Sequence, residues 1–139
     1  MRVQIKQQKL LRVIDANFNR AKEGLRVCED VVRFIFNDAS TTLQLKNIRH
    51  GLTQAVATLG LGEMIKARDI SGDVGVKTTA SELKRQDIND IIYANSQRVK
   101  ESIRVLEEVA KLVDVSAALK LKKLRYQFYA VEQKMLKKR

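Results

Sequence analysis

Apolar residues recur along this chain at helical spacing in long stretches, interrupted once by a segment with no such rhythm. From about Gln8 to Phe36, at about 100° per residue, Leu11, Ile14, Phe18, Ala21, Leu25, Cys28, Val32 and Ile35 fall on one stripe, which Val13, Val27 and Val31 widen. Asn37-Asp38-Ala39-Ser40 breaks the rhythm and supplies side chains suited to capping a helix start. A second helix is expected from about Thr41 to Leu59, with Leu45, Ile48, Leu52, Val56 and Leu59 inward. A third should begin at Asp87 or Ile88, with Asp87 as its N-cap, and reach Val113. Asp114 to Ser116 breaks the pattern, and a last helix turns Leu121, Leu124, Phe128, Val131 and Met135 inward. The prediction is an all-α fold: one domain, 1–139, of two helical hairpins (8–60 and 87–136) joined by a central loop (61–86).

The two hairpins echo each other in sequence. IDANFNRAKEGLRVCEDV (14–31) and IYANSQRVKESIRVLEEV (92–109), offset by 78, share Ile, Ala, Asn, Arg, Lys, Glu, Arg, Val, Glu and Val. Chance would leave about one identity in a stretch of that length. In the second helices the echo continues at offset 76, KNIRHGL (46–52) against KKLRYQF (122–128). A duplicated hairpin predicts a four-helix-bundle-like domain with internal pseudo-two-fold symmetry, since two copies are too few for a solenoid.

The repeated polar residues separate on a helical wheel. Lys22, Arg26 and Glu29 fall on the polar side and read as solvated charges. Asn17 falls within about 60° of Ile14, Cys28 and Ile35, and Arg20 lies between Val27 and Val31. Gly24, with Ser102 as its counterpart, leaves room there for a ligand or for a close backbone. Asn95 and Arg98 repeat the arrangement, Arg49 and Arg125 lie among apolar residues on the second helices, and Glu23 and Glu101 border the stripe. A buried guanidinium without a partner is very costly. Two kinds of partner remain open: protein carboxylates (Glu23, Asp30 or Asp15), or an anionic ligand whose phosphate oxygens an arginine fork can grip in pairs.

The central segment holds four of the six glycines together with Arg68, Asp69, Ser71, Gly72, Asp73 and Gly75. Glycines let backbone N–H groups approach an anion, and Asp69 or Asp73 could hold Mg²⁺. No Walker-type G-x-x-x-x-G-K-[ST] is present, and a plain linker is the alternative. The net charge of +11 suits acidic partners or phosphorylated small molecules. Few aromatics and no base-reading motif argue against nucleic acid. A lone histidine, His50, offers no triad, and the lone Cys28 reads as a small core residue. No apolar run reaches the roughly 18 residues of a membrane span, and the start MRVQIKQQK lacks a signal-peptide core, so a cytoplasmic protein with no membrane association is expected.

IDANFNRAKEGLRVCEDVVRF, the central RDISGDVG, YANSQRVKESIRVLEE and KLRYQFY together resemble a small thiamine-biosynthesis domain over about residues 8–133. That family is described as an alternative hydroxymethylpyrimidine-phosphate kinase. It occurs alone or fused ahead of thiamine-phosphate synthase, and a chain of this length looks like the stand-alone form. The resemblance implies ATP and Mg²⁺ as cofactors, a phosphorylated pyrimidine as substrate, and thiamine-phosphate synthase as a partner. Under it, Arg20, Arg98 and Asp73 are the catalytic candidates. Asn17, Glu23, Gly24, Arg49, Arg68, Asn95, Glu101 and Arg125 are the substrate-binding candidates. Gly72 and Gly75 are assigned to the cofactor, and Asp69 and Asp73 to the metal. Two other readings stand beside the kinase: a module that binds a phosphorylated thiamine precursor without chemistry, and a helical homodimerisation domain whose repeated charges are salt bridges.

Overall fold

The structure, a computed structural model, describes residues 6–137, so Lys138 and Arg139 of the basic C-terminal run and the first five residues of the start lie outside the described part. The described residues form five α-helices and no β-strand: α1 (Gln7–Asp30), α2 (Ala39–Ala57), α3 (Leu61–Ala67), α4 (Ile88–Ala110) and α5 (Val115–Met135). The all-α expectation is met, with one addition. The segment expected as a loop over 61–86 opens with the seven-residue α3, and a 3₁₀ turn spans Ala80–Leu83.

Capping explains where the long helices begin. Asp38 accepts from the Thr41 N–H at 3.0 Å and from its hydroxyl at 2.7 Å. Asp87 accepts from the Asp90 N–H at 2.9 Å, and Asp114 from the Ser116 N–H at 3.0 Å. Each aspartate supplies an acceptor for a first-turn donor that the helix cannot satisfy internally. The first helix does not stop at Asp30 but widens into a π-helical turn over Val31–Ile35, and Asn37 follows with a left-handed φ of 52°. The wider turn slides the apolar stripe out of register: Val32 stays buried, whereas Ile35, expected inward, is exposed. Val13, expected to widen the stripe, is also exposed.

α1 and α4 form the central pair. α2 and α5 pack outside them and on each other, and α3 rests on α1. Cys28 lies near Ser96, Gly24 meets Asn95 and Val99, and Asn17 shares a cleft with Ser102, so α1 and α4 run antiparallel. They come close at Gly24. A Cβ there would stand 2.8 Å from Val99 Cγ2 and 3.1 Å from the Asn95 carbonyl. Of the two roles open to Gly24, close backbone approach is the one realised. Ile14, Leu25, Leu45, Leu52, Ile92, Ile103, Leu106, Leu121 and Phe128 fill a continuous core. No helix among the described residues is long and apolar enough to cross a membrane.

Candidate functional site

Two of the repeated arginines pair with buried glutamates. Arg125 on α5 donates from Nε and Nη2 to the two carboxylate oxygens of Glu107 on α4, at 2.6 and 3.1 Å. Its Nη1 donates to the Tyr129 hydroxyl at 2.6 Å, and its guanidinium lies over the rings of Tyr126 and Tyr129. The bond to Glu107 raises the arginine's pKa further. In the other hairpin, Arg49 on α2 reaches Glu29 on α1 with Nε and Nη2, both at 3.4 Å, and Arg26 holds the second Glu29 oxygen at 2.9 Å. Arg104, the counterpart of Arg26, stands 3.9 Å from Glu107.

This corrects the sequence reading at three points. Glu29, placed on the polar face, is only 3% exposed, and Glu107 only 4%. The partners of Arg49 and Arg125 are these two glutamates, not Glu23, Asp30 or Asp15. Arg125 is therefore closed to a phosphate, because removing its bidentate carboxylate would leave a buried guanidinium uncompensated, whereas Arg49 is half-buried and held only by long contacts to one Glu29 oxygen.

Arg20 and Arg98 behave differently. Expected inside the stripe, both reach out and are exposed, because a long stem can lie along apolar surface and carry its head to water. Arg20 Nη1 makes one weak contact, to Asn17 Oδ1 at 3.4 Å. Neither arginine forms an ion pair with a described residue. Together with Asn17, Glu101 and Ser102 they line a cleft of about 350 Å³ between α1 and α4. Asn17 is buried and anchored by its Nδ2 to the Val13 carbonyl at 2.9 Å. Asn95 makes the corresponding bond to the Ile91 carbonyl at 2.8 Å.

Asn17 and Arg20 also line a larger open cleft of about 970 Å³, which α1 shares with the segment following α3. Glu23, Lys9 and Arg12 contribute from α1, and Arg68, Asp69 and Asp73 from the segment. The chain is folded over α1 here by a buried carboxylate: Asp15 accepts from Arg68 Nε and Nη2, both at 2.8 Å. That pairing raises the Arg68 pKa. Arg68 is thus spent on Asp15, while the segment it anchors brings Asp69 and Asp73 to the cleft. Reasoning from sequence named all these residues except Lys9 and Arg12. It had no signal for a tether between positions 53 apart.

Gly72 and Gly75 do not present free N–H groups. Gly72 N–H donates to Asp69 Oδ1 at 2.9 Å and Gly75 N–H to Asp73 Oδ1 at 2.9 Å, with the Ser71 hydroxyl also on Asp69 Oδ1 at 3.2 Å. Each aspartate so commits one oxygen and keeps the other. Among the described residues no group of three or more histidine, cysteine or acidic side chains could hold a metal. Two carboxylates with one uncommitted oxygen each still suit Mg²⁺, which is usually held by one or two carboxylates plus phosphate and water oxygens.

Antiparallel hairpins, a tethered segment and a cleft lined by arginine, asparagine and carboxylate characterise a domain whose family model matches residues 12–134: the chain belongs to the ThiD2 family. The curated relatives compared are larger proteins. A thiamine-phosphate synthase of Rhodopirellula baltica is 44% identical over 122 residues, covering 87% of this chain and 32% of the relative. Those of Nostoc punctiforme and of Synechocystis sp. are each 40% identical, covering 94% and 91% of this chain and 36% of each relative. The chain spans about a third of the length of the curated relatives it matches. No solved structure matches it.

Proposed function

We propose that the chain serves thiamine biosynthesis by transferring the γ-phosphoryl group of ATP to the phosphate of hydroxymethylpyrimidine phosphate. Membership of the ThiD2 family and likeness to proteins named thiamine-phosphate synthase support the pathway. The observation that carries the site is a pair of clefts that share Asn17 and Arg20: Arg98 lines the smaller, the tethered Asp69 and Asp73 line the larger, and neither Arg20 nor Arg98 has an ion-pair partner among the described residues. Phosphoryl transfer asks mainly for positioning and for neutralisation of oxygen charge. Arg20 and Arg98 would grip phosphate oxygens. Asn17, with Nδ2 held by Val13, offers Oδ1 to an amino group of the pyrimidine. Asp69 and Asp73 would hold Mg²⁺, which would supply neutralisation of the charge on the phosphate oxygens. No strong general base is required, because a phosphate acceptor is already ionised at neutral pH. Coupled release of ADP by the purified protein with the pyrimidine monophosphate and Mg·ATP tests the proposal; turnover no faster than a blank rules the kinase out.

A second reading has its own support. Gly72 and Gly75 spend their N–H groups on Asp69 and Asp73, so the segment lacks a ready nucleotide cradle. A module that holds a phosphorylated thiamine precursor for thiamine-phosphate synthase would need none. Calorimetry separates the two: precursor uptake without ATP uptake supports the module.

A further inference from the structure

The larger cleft draws on one half of the duplicated chain, and one buried carboxylate distinguishes that half. Asp15 is 5% exposed and takes both bonds of the Arg68 fork. Asn19, one turn on, donates from Nδ2 to Asp15 Oδ1 at 3.1 Å and so helps fix the carboxylate's orientation. Arg12, on the turn before, donates from Nη2 to the Asp69 carbonyl at 3.3 Å. Beyond these bonds the segment has little hold on the helices. All residues from 68 to 79 are exposed, and the other side-chain hydrogen bonds of 69–79 reach no further than three residues along the chain. At offset 78 the second half carries Tyr93 in place of Asp15 and Gln97 in place of Asn19. Tyr93 is exposed and receives only a long hydrogen bond, 3.5 Å, from Gln97. A phenol there offers no fork to a guanidinium.

We infer that Asp15 is the positioning residue of the cleft: by gripping Arg68 it keeps Asp69 and Asp73 beside Arg20, and it limits the duplicated chain to one such site. The inference rests on the reading of the cleft as the site for a phosphorylated pyrimidine with Mg·ATP. Asp15→Asn removes the charge and one acceptor of the pair. Arg68→Gln removes the same pair from the exposed side, leaves α1 intact and keeps the test open should Asp15→Asn fold poorly.

Two measurements on the full chain decide it. The first is the rate at which an Asp/Glu-specific protease cuts after Asp69 and Asp73 in ligand-free protein. Both substitutions should raise that rate by about tenfold, since cleavage follows the population of the open segment. Unchanged rates in both variants overturn the tether, whatever the ligand does. The second is titration with hydroxymethylpyrimidine phosphate in the presence of Mg·ATP. Wild type should take up one pyrimidine per chain, and either substitution should weaken uptake and raise KM by about tenfold, the scale of one lost charge-assisted contact. A purely structural Asp15 would lower the thermal midpoint and leave the KM of the folded fraction alone, which overturns the inference. Two pyrimidines per chain overturn the limit to one site. A wild type that takes up neither ligand overturns the reading of the cleft and the binding part of the inference, and the protease rates then decide the tether by themselves.

Discussion

Glu107 and Arg125 show what the recurring charges of this chain accomplish. Both are buried, joined in a fork and closed by Tyr129. Glu107→Ala should cost about 3–5 kcal/mol in urea unfolding, because it strands a buried guanidinium, whereas Glu107→Leu with Arg125→Met should recover most of that loss. Glu29→Ala should cost less, since Arg49 is looser at 3.4 Å and nearer to water. Cys28 makes a different prediction. Burial pushes its thiol from 9.0 up to about 11. Between those values the unfolded chain loses the proton and the folded chain keeps it, so stability falls as pH rises through this window. The fall should be on the order of 2 kcal/mol, and Cys28→Ala should remove that share of it in pH-dependent thermal melts. At this scale the sequence showed that Arg49 and Arg125 point inward and need partners. It did not show the partners, because a wheel drawn on α1 alone gives Glu29 a polar flank that α2 in fact covers.

The crossing of α1 and α4 depends on Gly24. Alanine there would gain about 1 kcal/mol in helix propensity. It would also press on Val99, whose branched side chain has one strongly preferred rotamer in a helix, and on a backbone carbonyl. Overpacking of this kind costs about 1–3 kcal/mol. Gly24→Ala should therefore lower the thermal midpoint, by a net amount on the order of 1 kcal/mol. The limits of the long helices were legible because Asp38, Asp87 and Asp114 announce them with capping side chains. α3 was not: it has seven residues, one of them glycine, and no side-chain cap. Nor was the π-helical turn, which changes the period of the stripe without changing its composition and so leaves Ile35 outside.

At the scale of the molecule, the two repeated stretches lie on α1 and α4, and equivalent glutamate–arginine pairs join α1 to α2 and α4 to α5. What differs between the halves was harder to read. The tether joins Asp15 to Arg68 across 53 residues, and its absence from the second half depends on a single tyrosine. The asymmetry sets the tethered segment beside Arg20, which with Arg98 lines the adjoining cleft, and the proposed chemistry depends on these two side chains. The most direct test is calorimetric titration of hydroxymethylpyrimidine phosphate, with Mg·ATP present, into wild type, Arg20→Ala and Arg98→Ala, each with its thermal midpoint. Exposed arginines without ion pairs add little to stability. The prediction is a loss of affinity of at least about tenfold in each variant at an unchanged midpoint. Unaltered affinity with a lowered midpoint in both would mean that these arginines hold helices together rather than a phosphate.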